Sequence, residues 1–435
     1  METTLKRTTF CKDTHPGIEV IELSNKTLVL PFDEATYPDL LTDKPAYKAY
    51  IQRWIDAHPE LFPDTIGDGW TLHGFTRESA KQGIRLRRIL TTADQEVWQI
   101  RPAFVMPYMT CDTATADQLL FLRKWAPAWA LAHAFRTDVM FIHRLTLQMG
   151  RYNIVGTTAK HPEALPEDVG ADEKHTTISG EKVYAATTVA ENCFWGASIS
   201  PGAGEADLTE AYRQFQREAQ QVQPEYQPKT VNTDGWQATT NAWRRLFPSI
   251  CVIQCFLHAV LRIRNVATTA TMAWYERIIE RVWDAYGATS KRQFSQRLRR
   301  LREWGKSFHE TPLKAALLKL CRTREGFASA YDFPSCLRTS NMVDRLMRGM
   351  DRYLFAHQGF HGTLVSAEYG IRSYCLLTNF RPSCYNPLAG GANRDEYESP
   401  FTRLNGFRYH ASWLQNMLIS TSGQAIYRFQ HKKVE

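Results

Sequence analysis

The chain has 435 residues, of which 43% are hydrophobic and 23% charged, and this composition is typical of a globular protein with more than one domain. Its formal net charge of +8 slightly favours an acidic partner such as nucleic acid. The first ten residues, METTLKRTTF, lack the apolar core of a signal peptide. No run of 18 apolar residues occurs, so we expect no membrane span. Nine cysteines at irregular spacing, with no export signal, indicate reduced thiols and a cytoplasmic protein.

Residues 1–110 are predicted to form an N-terminal region of mixed structure. Alternating apolar residues in 18–30 indicate a hairpin that turns at 24–26. Residues 46–57 have the spacing of a helix with one apolar face, and residues 84–100 read as two strands joined by a turn. The region therefore combines short strands with a helix.

Residues 111–164 have helical periodicity in three segments. The last two segments flank a short polar turn at 136–138, which is the layout of a helix-turn-helix in which Arg144 and Arg151 would contact DNA. A plain helical hairpin packed on the next domain explains the pattern equally well. The polar, proline-containing stretch 157–170 is the predicted domain boundary.

Residues 165–265 are predicted to be a mixed α/β core. A strand enters at Asp172, turns at 179–181, and is followed by strands over 182–189 and 193–199. A helix over 208–221 leads to a short strand that ends before Asp234. Three strands, a helix and a returning strand indicate one sheet covered by helices.

Residues 266–335 are predicted to form an α-helical insertion. Its most basic segment, 290–307, has apolar residues on one face, so Arg297, Arg299 and Arg300 would track a DNA backbone. A solvated helix face is the alternative. Residues 336–435 would complete the core and add a C-terminal tail.

The sequence contains no Gly-rich phosphate loop, no HExxH and no paired CxxC, which leaves metal-assisted phosphoryl transfer as the favoured chemistry. That chemistry needs only a few carboxylates, because Mg²⁺ prefers oxygen ligands and retains several waters. Two such ions can stabilise the attacking and leaving oxygens at phosphorus. Asp172 and Asp234 are suitable candidates, since both are predicted near the ends of core strands.

The order of several motifs resembles bacterial insertion-sequence transposases with an RNase H-like core and three catalytic acids. Asp172-Glu173-Lys174 resembles their first catalytic strand, and Val231-Asn232-Thr233-Asp234-Gly235 resembles the second. Cys255-x-x-His258 is similar to a C-x-x-H signature of such enzymes, and Thr339 to Arg345 (TSNMVDR) is similar to the helix that carries the third acid. The tail resembles theirs at residues 379–382 and 399–410, and the resemblance covers residues 125–423.

The resemblance implies that Asp172, Asp234 and Asp344 bind two Mg²⁺ or Mn²⁺ ions. The third acid of the family is usually glutamate, so Asp344 departs from the pattern and Glu368 is the reserve candidate. His258 would contact the scissile phosphate or orient Asp234, with a buried core cysteine and histidine as the alternative for the Cys255–His258 pair. Arg262 and Arg264 would stabilise phosphate charge.

By this resemblance the chain is expected to be a nucleoid-associated DNA transposase that cleaves transposon ends and joins them to target DNA, acting as a homodimer. The expected fold is an RNase H-like mixed sheet with a helical insertion and a mainly helical N-terminal DNA-binding region. Two alternatives remain: a metal-dependent nuclease without strand transfer, and an inactive transposase that only binds DNA.

Overall fold

A computed structural model describes residues 18–79, 82–309, 311–382 and 398–431. Our interpretations of residues 1–10 and 386–397 therefore lie outside the described residues. The protein is of the mixed α/β class, and the described residues form three sheets. Within the described ranges, no helix combines the length and the apolar character needed to cross a membrane.

The N-terminal region contains a four-stranded sheet and two helices. Its elements are β1 (Ile18–Leu23), β2 (Thr27–Leu30), α1 (Tyr37–Thr42), α2 (Lys44–Ala57), β3 (Trp70–Phe75), β4 (Arg87–Thr91) and β5 (Val97–Pro102). The sheet has the order β2-β5-β4-β3, with β2 parallel to β5. The predicted helix and the predicted pair of later strands are confirmed. The mixed structure predicted for residues 1–110 is confirmed in their described part, and the mainly helical character expected of the N-terminal region is not found there.

The predicted hairpin over residues 18–30 is also wrong. β1 pairs with the C-terminal strand β11 (Ile426–His431), whereas β2 belongs to the four-stranded sheet. All four residues of β2 are buried. Ser422 covers the other edge of β2, where its Oγ accepts a hydrogen bond from the backbone N–H of Val29 at 2.9 Å. A hairpin of two strands cannot bury β2 on every side, so long-range pairing replaces the local one.

Four helices follow: α3 (Thr113–Leu122), α4 (Ala128–Phe135), α5 (Val139–Met149) and α6 (Ile154–Thr158). The predicted helical character is confirmed. The predicted boundary at 157–170 starts inside α6, whose residues are all buried. The backbone N–H groups of Ile154 and Val155 donate to the carboxylate of Glu218, at 2.6 and 3.2 Å. Residues 157–160 are therefore part of the packed interior and not a linker.

The central sheet has five strands in the order β10-β9-β6-β7-β8. Its strands and helices are β6 (Asp168–Ile178), β7 (Glu181–Ala190), β8 (Cys193–Ser200), α7 (Glu205–Val222), β9 (Thr230–Thr233), α8 (Gln237–Leu246) and β10 (Cys251–Gln254). β6, β7 and β8 form an antiparallel meander, and β9 and β10 run parallel to β6 and to each other. The predicted three strands, helix and returning strand are confirmed.

Helices cover both faces of the central sheet. On one face, α7 and α8 pack through Phe215 and Trp243 against Trp195 of β8. On the other face lie α14 (Asn341–Ala356) and α15 (Leu364–Phe380), which share one hydrophobic core with the N-terminal sheet and with α5. The N-terminal region and the central sheet are thus joined through a common interior.

The segment between β10 and α14 is helical, as predicted. It contains α9 (Phe256–Asn265), α10 (Met272–Tyr286), α11 (Lys291–Lys306), α12 (Pro312–Arg322) and α13 (Arg324–Ala328). These helices have a hydrophobic core of their own, which includes Ile263, Ile278 and Leu317. The chain ends with α16 (Pro400–Asn405), α17 (Trp413–Ser420) and β11.

Candidate active site

Asp172 and Asp234 stand at the same level on neighbouring parallel strands. The last residue pair between β6 and β9 joins Gly170 to Asn232, and each aspartate follows two positions later, Asp172 within β6 and Asp234 one residue past the end of β9. Directly after Asp234, Gly235 with a φ of 86° turns the chain away from the sheet. Asp234 Oδ1 accepts a hydrogen bond from the backbone N–H of Trp236 at 2.7 Å, which fixes the start of α8. The local sequence therefore exposes the second carboxylate at a strand end.

Asp344 lies in the first turn of α14, which packs across β6 and β7. The pKa of Asp172 is raised to about 6: burial is the main cause and the charges of Asp234 and Asp344 add to it, while the backbone N–H of Glu173 and the charge of His258 oppose it. The four predicted catalytic side chains thus act on one another electrostatically, although they come from four separate places in the chain: β6, the end of β9, α9 and α14. Excess negative charge of this kind favours a cation nearby.

His258 and Cys255 occupy the start of α9, directly after β10. The contact with the Cys255 thiol raises the pKa of His258, against the opposing effect of burial, and Asp234 and Asp344 contribute in the same direction. Burial raises the pKa of Cys255, but the contacts with His258 and Ser340 outweigh it and lower the pKa overall. The imidazole beside the acids is therefore more readily protonated than a free histidine, and in that form it can donate to an anionic ligand.

Glu173 points away from this cluster, because adjacent strand residues face opposite sides of a sheet. Its Oε1 accepts hydrogen bonds from the hydroxyls of Tyr212 and Thr239, each at 2.6 Å. Burial raises its pKa to about 7. In the sequence, Glu173 was recognised only as part of the Asp172-Glu173-Lys174 motif. Its hydrogen bonds join α7 and α8 to β6, and they could not be predicted before the positions of the two helices were known.

Glu368, the reserve third acid, is not brought to the cluster. It lies on α15 and is 1% exposed. Its Oε2 accepts hydrogen bonds from the backbone N–H of Ile199 at 2.7 Å and from Ser198 Oγ at 3.1 Å. Both partners belong to β8, and β7 separates β8 from β6. The arrangement favours Asp344 over Glu368 as the third acid.

The predicted phosphate-binding arginines differ in their surroundings. Arg262 is closest to the site, where its Nη2 donates to the backbone carbonyl of Asp234 at 3.0 Å. Arg264 stacks over Tyr275, with 5.3 Å between the guanidinium and the ring centre. The guanidinium of Arg297 forms an ion pair of 3.1 Å with the carboxylate of Asp284.

Arg299 and Arg300 are exposed on α11. Arg144 is exposed on α5, a helix that packs along α15 inside the main core. Arg151 follows α5 and stacks over Tyr108 at 5.2 Å. α4 and α5 are therefore part of the packed body of the protein, and a helix-turn-helix function for them stays a prediction.

In the described part of the chain, no three histidine, cysteine, aspartate or glutamate side chains are already arranged to enclose a metal ion. The donor set still fits Mg²⁺ or Mn²⁺, because both ions accept carboxylate oxygens and complete their coordination with water and substrate phosphate. Asp172, Asp234 and Asp344 are the residues that would hold them.

Comparison with protein-family models finds no match for this chain, and no curated protein matches it significantly.

Proposed function

We propose that the protein is a DNA transposase with an RNase H-like catalytic core. The proposal rests chiefly on the convergence of Asp172, Asp234 and Asp344 at one end of the β6–β9 strand pair. The strand arrangement supports it: three antiparallel strands in sequence, then two parallel strands reached through helices, are what an RNase H-like core requires. The helical insertion between α9 and α14 supports it as well.

The side chains around the acids are suited to binding a phosphodiester. Metal ions, when bound, would polarise the phosphate and activate the attacking oxygen. Asp172, Asp234 and Asp344 would position them, and the imidazole of His258 would donate a hydrogen bond to a non-bridging phosphate oxygen. Arg262, anchored to the carbonyl of Asp234, would add positive charge beside the scissile group.

The reaction would have two phosphoryl transfers and no covalent protein intermediate. In the first, a water oxygen bonds to phosphorus at the transposon end. The bond to the 3′-oxygen of the element breaks, and this oxygen leaves as a hydroxyl. In the second, that 3′-hydroxyl attacks a target phosphodiester and displaces a target 3′-oxygen, which takes up a proton. Positioning and charge neutralisation supply most of the catalysis.

The partners would be nucleoid DNA and a second copy of the chain. Two transposon ends must be held together, so we expect a homodimer in the active complex. The exposed arginines Arg299 and Arg300 of α11 would contact the DNA backbone.

The test is cleavage and joining of element-end DNA by the purified full chain with Mg²⁺ or Mn²⁺. The substrate would be taken from the inverted repeats that flank the gene. Asp234→Asn should abolish both reactions. Asp351→Asn is the matched control, because Asp351 lies on α14 in an ion pair with Lys174 at 2.8 Å and should not be required.

Each outcome assigns a function. Joining that is lost only in Asp234→Asn supports the transposase. Cleavage without joined product would overturn it in favour of a nuclease. DNA binding without metal, unchanged in Asp234→Asn and with no cleavage by the wild type, would overturn it in favour of a non-catalytic DNA-binding protein.

A further inference from the structure

Cys255 connects the segments that carry the second and third acids. Its backbone N–H donates to the carbonyl of Thr233, the residue before Asp234, at 2.7 Å. Its Sγ lies 3.2 Å from Ser340 Oγ and accepts the backbone N–H of Ser340, also at 3.2 Å. The next backbone bond, from Phe256 N–H to the carbonyl of Arg338 at 3.2 Å, strengthens the same junction.

Ser340 continues this connection to Asp344. Its hydroxyl donates to Asp344 Oδ2 at 2.9 Å, and its carbonyl accepts the backbone N–H of Asp344 at 2.7 Å. The three side chains form a consistent donor chain in which the thiol donates to the hydroxyl and the hydroxyl donates to the carboxylate. The thiol sulfur remains free to accept the N–H of Ser340.

The position of Ser340 makes this bonding unusual. Ser340 is the N-cap of α14, where a serine hydroxyl normally accepts a backbone N–H of the first turn and stabilises the helix. Here the hydroxyl makes no such cap. It is directed to the carboxylate of Asp344, so the local structure gives up ordinary capping to orient an acid.

We propose that Cys255 and Ser340 form a clasp that positions the Asp344 carboxylate for a divalent cation shared with Asp234. The inference rests on the proposed function, because it assigns a cation to the three acids. It explains why the cysteine of the C-x-x-H motif and the serine of the TSNMVDR motif occur together: the structure joins them by hydrogen bonds. Both are positioning residues, since each acts on the cation through Asp344.

The test is direct binding of Mn²⁺ to the full chain, measured by electron paramagnetic resonance without DNA. Ser340→Ala should weaken binding about tenfold, the lower end of the usual effect of residues that orient metal ligands. Ser340→Thr keeps the hydroxyl and should bind as the wild type does. Cys255→Ala should weaken binding in the same direction, which provides a second variant if Ser340→Ala does not fold.

Thr363→Ala is the matched control. Thr363 is the N-cap of α15, and its hydroxyl makes an ordinary cap with the backbone N–H of Ser366 at 3.2 Å. This variant should lower thermal stability and leave Mn²⁺ binding unchanged. Equal weakening in Thr363→Ala and Ser340→Ala would reduce the clasp to a structural cap and overturn the proposal.

The clasp is overturned if Ser340→Ala binds Mn²⁺ as tightly as the wild type, if Ser340→Thr is as weak as Ser340→Ala, or if the wild type binds no Mn²⁺. Its fate is separable from that of the transposase. If the chain binds Mn²⁺ in a way that depends on the Ser340 hydroxyl but neither cleaves nor joins DNA, the clasp is supported and the transposase function is contradicted. If the wild type joins DNA but its Mn²⁺ binding does not depend on Ser340, the transposase function is supported and the clasp is contradicted.

Discussion

Gly170 of β6 lies directly beneath Val343 of α14: a Cβ atom at residue 170 would stand 2.6 Å from Cγ2 of Val343. This close approach brings the first turn of α14, and with it Asp344, onto the strand that carries Asp172. The absence of a side chain at residue 170 thus contributes to the assembly of the acidic cluster.

Gly170→Ala should therefore destabilise the protein by about 1–3 kcal/mol, because an added methyl group in a packed interior forces a shift of its neighbours. Urea unfolding measures this change. Gly67→Ala is the control, since nothing lies within 4 Å of a Cβ at residue 67. Adding Val343→Ala should restore part of the loss. If Gly170→Ala were as stable as the wild type, the close approach of α14 to β6 would not require glycine at residue 170.

Glu368→Gln should retain metal-dependent cleavage, whereas Asp344→Asn should lose it. The physical reason is position: Glu368 bonds to β8, on the far side of β7 from the acids. Cleavage assays under identical metal concentrations compare the two variants. If Glu368→Gln lost cleavage and Asp344→Asn retained it, Glu368 and not Asp344 would be the third acid.

Glu368→Gln should also change how stability depends on pH. Burial raises the pKa of Glu368 to about 7, whereas in the unfolded chain the pKa of this carboxyl is about 4.5. Between these values the folded state binds more protons, so this carboxyl's contribution to stability is present below pH 4.5 and is lost as pH rises through 7. Relative to the wild type, the variant should gain about 1–3 kcal/mol in unfolding free energy between pH 5 and pH 8. Equal pH profiles would contradict a buried, titrating carboxyl.

The sequence predicted the central sheet well because its signals are local. Strands β6, β7 and β8 are joined by short turns, and the helix α7 has a long amphipathic pattern. The partner of β1 was not predictable in this way. Its pairing of Ile18 with His431 joins opposite ends of the chain, and no local pattern in residues 18–30 distinguishes it from a hairpin.

The candidate site was predictable where residue type alone identifies chemistry. Carboxylates at strand ends are recognisable, so Asp172 and Asp234 could be singled out. The contribution of Ser340 depends on the contact with Cys255, 85 positions away, and on a serine that does not cap its own helix. The internal pairing of Arg297 likewise required the packing of α11 on α10.

Arg299 and Arg300 should contribute to DNA binding, and Arg297 should contribute to the stability of the insertion. Each phosphate contact that is removed lowers the slope of log affinity against log salt by about 0.9. Arg299→Ala with Arg300→Ala should therefore reduce the slope by up to about 1.8 without changing the unfolding temperature. Fluorescence anisotropy over a salt series measures the slope.

Arg297→Ala is the internal comparison. The guanidinium of Arg297 donates to the backbone carbonyl of Asp284 and pairs with its carboxylate, so removing it should lower the unfolding temperature with little effect on the slope. A slope that falls with Arg297→Ala and not with the double variant would show that Arg297, and neither Arg299 nor Arg300, contacts the DNA.

Lys160 provides a pH-dependent test of the packed interior between α6 and the C-terminal segment. Burial lowers its pKa to about 7, with the charge of Glu60 acting in the opposite direction, and its Nζ donates to the carbonyl of Ser420 at 2.7 Å. The unfolded chain retains this proton up to about pH 10. Between pH 7 and 10 the unfolded state therefore binds more protons, so the lysine's contribution to stability rises with pH.

Lys160→Met removes the titrating group while keeping a side chain of similar length. From pH 7 to pH 9, the wild type should gain about 1–3 kcal/mol in unfolding free energy relative to this variant, which follows from about 1.4 kcal/mol for each unit of difference in protonation. Urea unfolding of both proteins at pH 7, 8 and 9 measures the difference. If the difference in unfolding free energy between the two proteins stayed constant from pH 7 to pH 9, Lys160 would keep its proton in the folded protein. The charge of Glu60 would then offset the effect of burial on the pKa of Lys160.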